Sequence, residues 1–121
     1  MSDLGPLYHW SPRTRLSSIK KLGLVPRKPR VSTTEGEDED DGFRQDGVCF
    51  SLDPATAWAY SQGVFKVPGT YDLWQVWLEP TDEVHVLPGW GARIVEVRVH
   101  NRIRKARLIW VGERVIAPHV T

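Results

Sequence analysis

Cysteine, methionine and long apolar runs are scarce in this chain of 121 residues. The single cysteine, Cys49, excludes an internal disulfide framework and a zinc site built from several thiolates, and it suits a reducing compartment. No apolar run approaches the roughly 18 residues of a membrane span, and the opening MSDLGPLYHW lacks the basic-then-apolar pattern of a secretory signal. These absences predict a cytoplasmic protein with no membrane partner. No internal repeat and no glycine-rich phosphate loop are visible, so a bound phosphate would have to be held by side chains.

An excess of one charge is missing too. The chain has 16 basic and 15 acidic residues, a net charge of +1, which argues against a strongly basic nucleic-acid binder. The balance hides segregation, because six of the seven residues from Glu35 to Asp41 are acidic. The rest of the chain carries 9 acidic against 16 basic residues, a charge of +7. Seven of those basic residues lie between Arg13 and Arg30 and five between Arg98 and Arg107. A solvated helix face accounts for most of the first set, and a basic groove for a pyrophosphate or a nucleic acid would use some of both.

The length suits one domain over residues 1–121. Pro6 to Trp10 reads as a strand that runs into a turn at Ser11-Pro12. Leu16, Ile19 and Leu22 recur at helical spacing, with Gly23 as C-cap and Pro26 just beyond. A nearly apolar-free stretch then predicts a mobile acidic loop at about 27–46. Val48 to Ser51 reads as a short buried strand, followed by a helix capped by Asp53-Pro54 and ended by Gly63. The segments Leu73–Leu78, Glu83–Leu87, Arg93–Val99 and Arg107–Ile116 read as further strands. The expected class is α+β, with two short helices and a mainly antiparallel sheet.

Two stretches carry candidate chemistry. The run His9-Trp10-Ser11-Pro12-Arg13-Thr14-Arg15-Leu16 continues to Ile19-Lys20-Lys21-Leu22-Gly23-Leu24, placing an imidazole and a hydroxyl at a strand end before the helix. The run Gly47-Val48-Cys49-Phe50-Ser51 is followed by a helix of small residues that holds Trp58 and Tyr60. Read as residues alone, a strand-end histidine also serves as a plain structural hydrogen-bonding group, and Trp58 and Tyr60 as core aromatics.

Together the two runs resemble the first and second motifs of ADP-ribosyltransferases of the diphtheria-toxin and poly(ADP-ribose) polymerase type. The resemblance implies a split antiparallel β-sheet, NAD as co-substrate and no metal. It implies that His9 hydrogen-bonds a ribose of NAD, that Trp10 offers its backbone to the nicotinamide amide, and that Ser11 supports both. It further implies that Cys49, Phe50 and Ser51 belong to the cofactor site and that Tyr60 stacks on the nicotinamide ring. Trp10 departs from the usual glycine and Cys49 from the usual tyrosine. A thiol cannot stack, so one wall of the nicotinamide slot would be thinner or filled by another residue, with Trp10 as the candidate. Cys49 as a nucleophile is a weaker reading than inert packing.

The third family element is an acidic residue on a later strand, which Glu96 in Arg93-Ile94-Val95-Glu96-Val97-Arg98-Val99 matches. Strand alternation places Ile94, Glu96 and Arg98 on one face. A fixed carboxylate would stabilise the oxocarbenium character that develops as the nicotinamide bond breaks. A surface glutamate paired with Arg93 or Arg98 is the plain alternative, and Glu79, Asp82 and Glu83 compete for the role. Arg13 and Arg15 would hold the pyrophosphate.

The expected activity is mono-ADP-ribosyl transfer to an unknown acceptor (protein, nucleic acid or small molecule) or NAD hydrolysis, with His9, Tyr60 and Glu96 as catalytic residues. Two alternatives stand beside it. One is a degenerate module that binds NAD, ADP-ribose or a protein without turnover; the other is an NAD-dependent RNA 2′-phosphotransferase-like enzyme. The acidic block, placed between the two motifs, would act as a gate on the anion site.

Overall fold

The computed structural model describes residues 4–26, 47–61, 67–88 and 94–118. They form a small α+β fold with two three-stranded antiparallel sheets and two short α-helices. The first sheet comprises β1 (Leu7–Pro12), β3 (Gly69–Val76) and β6 (Ile109–Ile116), with β3 in the centre. The second comprises β2 (Val48–Phe50), β5 (Ile94–Val99) and β4 (Val84–Pro88), with β5 in the centre. The two meet at one antiparallel bridge, in which the Tyr8 N–H donates to the Ser51 carbonyl at 2.8 Å and the Ser51 N–H returns the bond at 3.0 Å.

Helix α1 (Leu16–Leu22) follows a 3-10 turn at Arg13–Arg15. Its apolar spacing buries Ile19, and it stops at Gly23, whose φ of 80° ends the helix while its N–H still bonds the Ile19 carbonyl. Leu24 then pairs with Ile103 through two backbone bonds of 2.9 Å. Helix α2 (Pro54–Ser61) begins as its sequence predicts: the Asp53 carboxylate accepts the Thr56 N–H at 2.8 Å, and proline takes the first helical position. The expected acidic loop at 27–46 and the expected stop at Gly63 lie outside the described residues.

Two apolar clusters hold these elements. Leu7, Phe50, Val76, Val97, Val99 and Ile103, each no more than 1% exposed, join both sheets and α1 in the main core. A second cluster holds α2 against the first sheet. There Trp58 packs edge-on against Trp10, with ring centroids 5.0 Å apart, and against Tyr71 at 5.5 Å, while the Arg114 guanidinium lies 4.3 Å over its ring. Burial of each large side chain contributes roughly 1.5–3 kcal/mol, and each edge-on aromatic pair about 1 kcal/mol more.

Boundaries of β1, β3 and β6 differ from expectation: where the sequence predicts a turn at Ser11-Pro12, β1 continues to Pro12, because Ser11 and Pro12 pair with Asp72 and Tyr71 of β3. β3 starts at Gly69 and ends at Val76, and just beyond it the Trp77 carbonyl accepts Arg107 Nη2–H at 2.8 Å. Residues Lys105–Arg107 form a 3-10 turn, so β6 starts at Ile109. Arg107 turns inward there to meet Asp82, whose side chain is 1% exposed. No helix among the described residues is long and apolar enough to cross a membrane.

Candidate functional site

β1 carries His9 and Ser11 on alternate positions, and the antiparallel bridge at Tyr8 and Ser51 brings β2 alongside. The two sequence motifs, forty residues apart, therefore share one cavity of about 370 Å³. His9 and Ser11 line it from β1, Arg15 and Ser18 from the turn and α1, and Gly47 and Cys49 from the start of β2. Its volume falls in the lower part of the range of small-molecule sites.

His9 is half-buried, and its Nδ1–H donates to the Cys49 carbonyl at 2.8 Å. A carbonyl can only accept, so Nδ1 carries the hydrogen and Nε2 of the neutral ring is an acceptor. Burial pushes the imidazole below its ordinary range; the bond to Cys49 opposes that shift and the charge of Arg15 adds to it. At neutral pH the ring is uncharged, fit to accept a hydroxyl hydrogen. Ser11 is buried, and its Oγ accepts the Trp74 indole N–H at 3.1 Å, which leaves the serine hydrogen to donate. A residue able to accept and one able to donate thus line the same cavity from one strand, with Arg15 on its wall.

The remaining sequence candidates are distributed. Trp10 places its indole in the second cluster, where Nε1–H donates to the Pro54 carbonyl at 3.0 Å, so the ring supplies no wall to the His9 cavity. Phe50 is 1% exposed in the main core, and Ser51 is buried at the bridge between the sheets. Tyr60 lies in α2, and its side chain is outside the described residues. Arg13 points elsewhere, with its guanidinium on Asp72 at 2.7–3.0 Å and on Glu113.

Glu96 is paired with Arg98 on β5 and is not among the described residues that line the His9 cavity. Cys49 links the two, since it faces Arg98 across the β2–β5 ladder and also lines the cavity. Cys49 is exposed as a residue, yet its thiol is pushed up to about 12, first by desolvation and then by the hydrogen bond and charge of Glu96, which outweigh Arg98. A thiol so held is a poor nucleophile. Of the competing carboxylates, Asp82 is committed to Arg107 and Asn101. Among the described residues no three histidine, cysteine or carboxylate side chains gather as a metal site.

Sequence reasoning passes over Asp72. This residue is fully buried in β3, and its carboxylate accepts from the Arg13 fork and from Trp110 Nε1 at 2.9 Å. The signal was an aspartate within the aromatic strand run Tyr71-Asp72-Leu73-Trp74, where only a charged partner makes burial tolerable. The chain matches no family model, no curated protein and no solved structure.

Proposed function

We propose that the His9 cavity binds NAD and that the protein is a small mono-ADP-ribosyltransferase or NAD glycohydrolase. The observation that carries this reading is the convergence of His9, Ser11 and Arg15 with Cys49 and Gly47 around one cavity. Neutral His9 would accept a ribose hydroxyl hydrogen at Nε2, and Arg15 would meet the pyrophosphate. Two antiparallel sheets that meet at Tyr8 and Ser51 support the finer reading of a split-sheet ADP-ribosyltransferase fold. In the reaction the bond between the ribose C1′ and nicotinamide breaks, nicotinamide leaves with the electron pair, and water or an acceptor attacks C1′ and loses its proton. Glu96 bonds Arg98 and the Cys49 thiol rather than lining the cavity, so in turnover it would have to leave Arg98 to stabilise the positive charge that develops on the ribose.

A second reading has its own support. Glu96 is held by Arg98 rather than set into the cavity, which favours a module that binds NAD or ADP-ribose without turnover. Calorimetric titration with NAD, followed by assay of nicotinamide release with and without cell lysate, separates the two. Binding is expected to weaken about tenfold in His9→Ala, the loss of one good hydrogen bond. Release is expected to vanish in Glu96→Gln while binding persists. Binding with no release by the unaltered protein selects the second reading, and no binding of NAD or, in a parallel titration, of ADP-ribose at millimolar concentration overturns both.

A further inference from the structure

A second cavity, of about 650 Å³, shares Ile19 with the first but uses a different part of the sheet. Its floor is one face of β3 and β6, where Asp72 opposes Glu113 and Trp74 opposes Trp110. That pairing depends on an irregularity. Leu73 faces Gly112 and the next residue, Trp74, faces Trp110, so Val111 is an extra residue in β6. Without this bulge Trp74 would oppose Val111, and the indole of Trp110 would leave the floor. Leu16 and Lys20 of α1 form one wall, and Lys105 and Leu108 another.

The indole is fixed at one end only. Its Nε1–H donates to Asp72, whose carboxylate is locked by Arg13, while Trp110 as a whole stays 49% exposed. A ring anchored by its polar edge and left open is a stacking platform that needs little ordering when a ligand arrives. The charges then set the ligand's sign. Both carboxylates of the cavity, Asp72 and Glu113, are bonded to Arg13. Lys20 and Lys105 are exposed at the cavity and enter no ion pair among the described residues. Arg13 offsets one of the two carboxylates and Lys20 acts on Asp72 through its charge, so with Lys105 the five charged groups of the cavity sum to +1, and this net positive charge stands beside apolar surface from Leu16, Leu108 and Trp110.

We propose that this cavity is a second ligand site that takes a small planar aromatic molecule bearing a carboxylate or phosphate, with the ring on Trp110 and the anion between Lys20 and Lys105. A bare anion would leave the apolar floor wet, and a neutral ring would leave both lysines unused. The site stands whether or not NAD binds at His9.

The test is NMR titration of the nitrogen-labelled protein, following the Trp110 indole N–H, which is identified by its disappearance in Trp110→Phe. The probes are 2-naphthoate and 2-naphthyl phosphate, with 2-naphthol and inorganic phosphate as half-ligands. Saturable shifts are expected with at least one aromatic anion, and the stronger of the two identifies the preferred anionic group. Each half-ligand should bind at least tenfold more weakly. The exposed pair Lys20→Gln and Lys105→Gln, introduced together, should weaken binding tenfold or more without unfolding the protein, and His9→Ala should leave it unchanged. Absence of a saturable shift with either anion at millimolar concentration overturns the proposal. So does equal binding of 2-naphthol, or undiminished binding in the double-glutamine variant.

Discussion

The Cys49 carbonyl accepts the Nδ1–H of His9 at 2.8 Å, and this one bond ties the first sequence motif to the second. It also fixes the hydrogen on Nδ1 and turns the acceptor nitrogen of the ring away from the β2 backbone.

The state of that ring predicts a pH dependence of stability. Burial holds the folded His9 below its ordinary value of 6.5, so the unfolded chain takes up the proton first as pH falls. The contribution is complete above the unfolded value and is lost as pH drops from there through the folded one. Thermal melts at about pH 7 and about pH 5 should show a larger fall in Tm for the unaltered protein than for His9→Gln. Equal falls would place the titrating group elsewhere.

Legibility in the sequence followed the range of the interactions involved. Helix α1, its stop at Gly23 and the Asp53 cap of α2 are set by neighbours within four residues, and all three are found where local chemistry places them. The pairing of His9 with Cys49 was visible only as two motifs, because nothing in either run states the distance between them. Arg13 was legible as a cation and illegible as the partner of Asp72, 59 residues away. The start of β3 escaped notice because Gly69 and Thr70 lack apolar character; their strand geometry comes from pairing with Ile116 and Val115. The Val111 bulge has no local signal at all.

Cys49 should resist alkylation although it is exposed. With its thiol pushed up to about 12, the thiolate fraction near neutrality is far below that of an ordinary cysteine. Because the more basic thiolate is also the stronger nucleophile, part of that deficit is recovered, and iodoacetamide should label it roughly 100-fold more slowly than it labels glutathione at about pH 8. Glu96→Gln removes the carboxylate that faces the thiol and should speed labelling. Fast labelling of the folded protein, or no response to Glu96→Gln, would contradict the contact between Cys49 and Glu96.

Arg107 should be a stability residue. Burial alone would raise the Asp82 carboxyl, but bonds from Arg107, the Glu79 N–H and Asn101 outweigh it and hold the group at about 2. Arg107→Met strands a buried carboxylate and should cost roughly 3 kcal/mol in urea unfolding at neutral pH. The folded carboxyl lies below its unfolded value of 3.8, so the stabilisation is present above that value and fades as pH falls towards 2. The gap between the two proteins should therefore narrow in acid. A gap that is constant with pH would assign the loss to packing of the arginine stem.

Gly23 is the position where a single methyl group should do most harm. Its φ of 80° lies where side chains are strained, and a Cβ there would stand 2.1 Å from the Ile103 carbonyl oxygen, a backbone atom that cannot step aside. The contact is close because Leu24 and Ile103 exchange two backbone bonds at the next residue, and both side chains are buried in the main core. Gly23→Ala must separate those segments or distort α1, and it should cost roughly 3 kcal/mol or more from strain and lost bonds together. Gly23 and Leu24 also line the His9 cavity, so the NAD binding proposed there should weaken even under conditions where the variant remains folded. Urea midpoints for Gly23→Ala and for the remote control Gly69→Ala separate the two contributions. Gly69 shares a positive φ but has no atom within 4 Å of its Cβ position, so its variant reports strain alone. Equal losses in the two would show that the approach of Ile103 carries no extra cost.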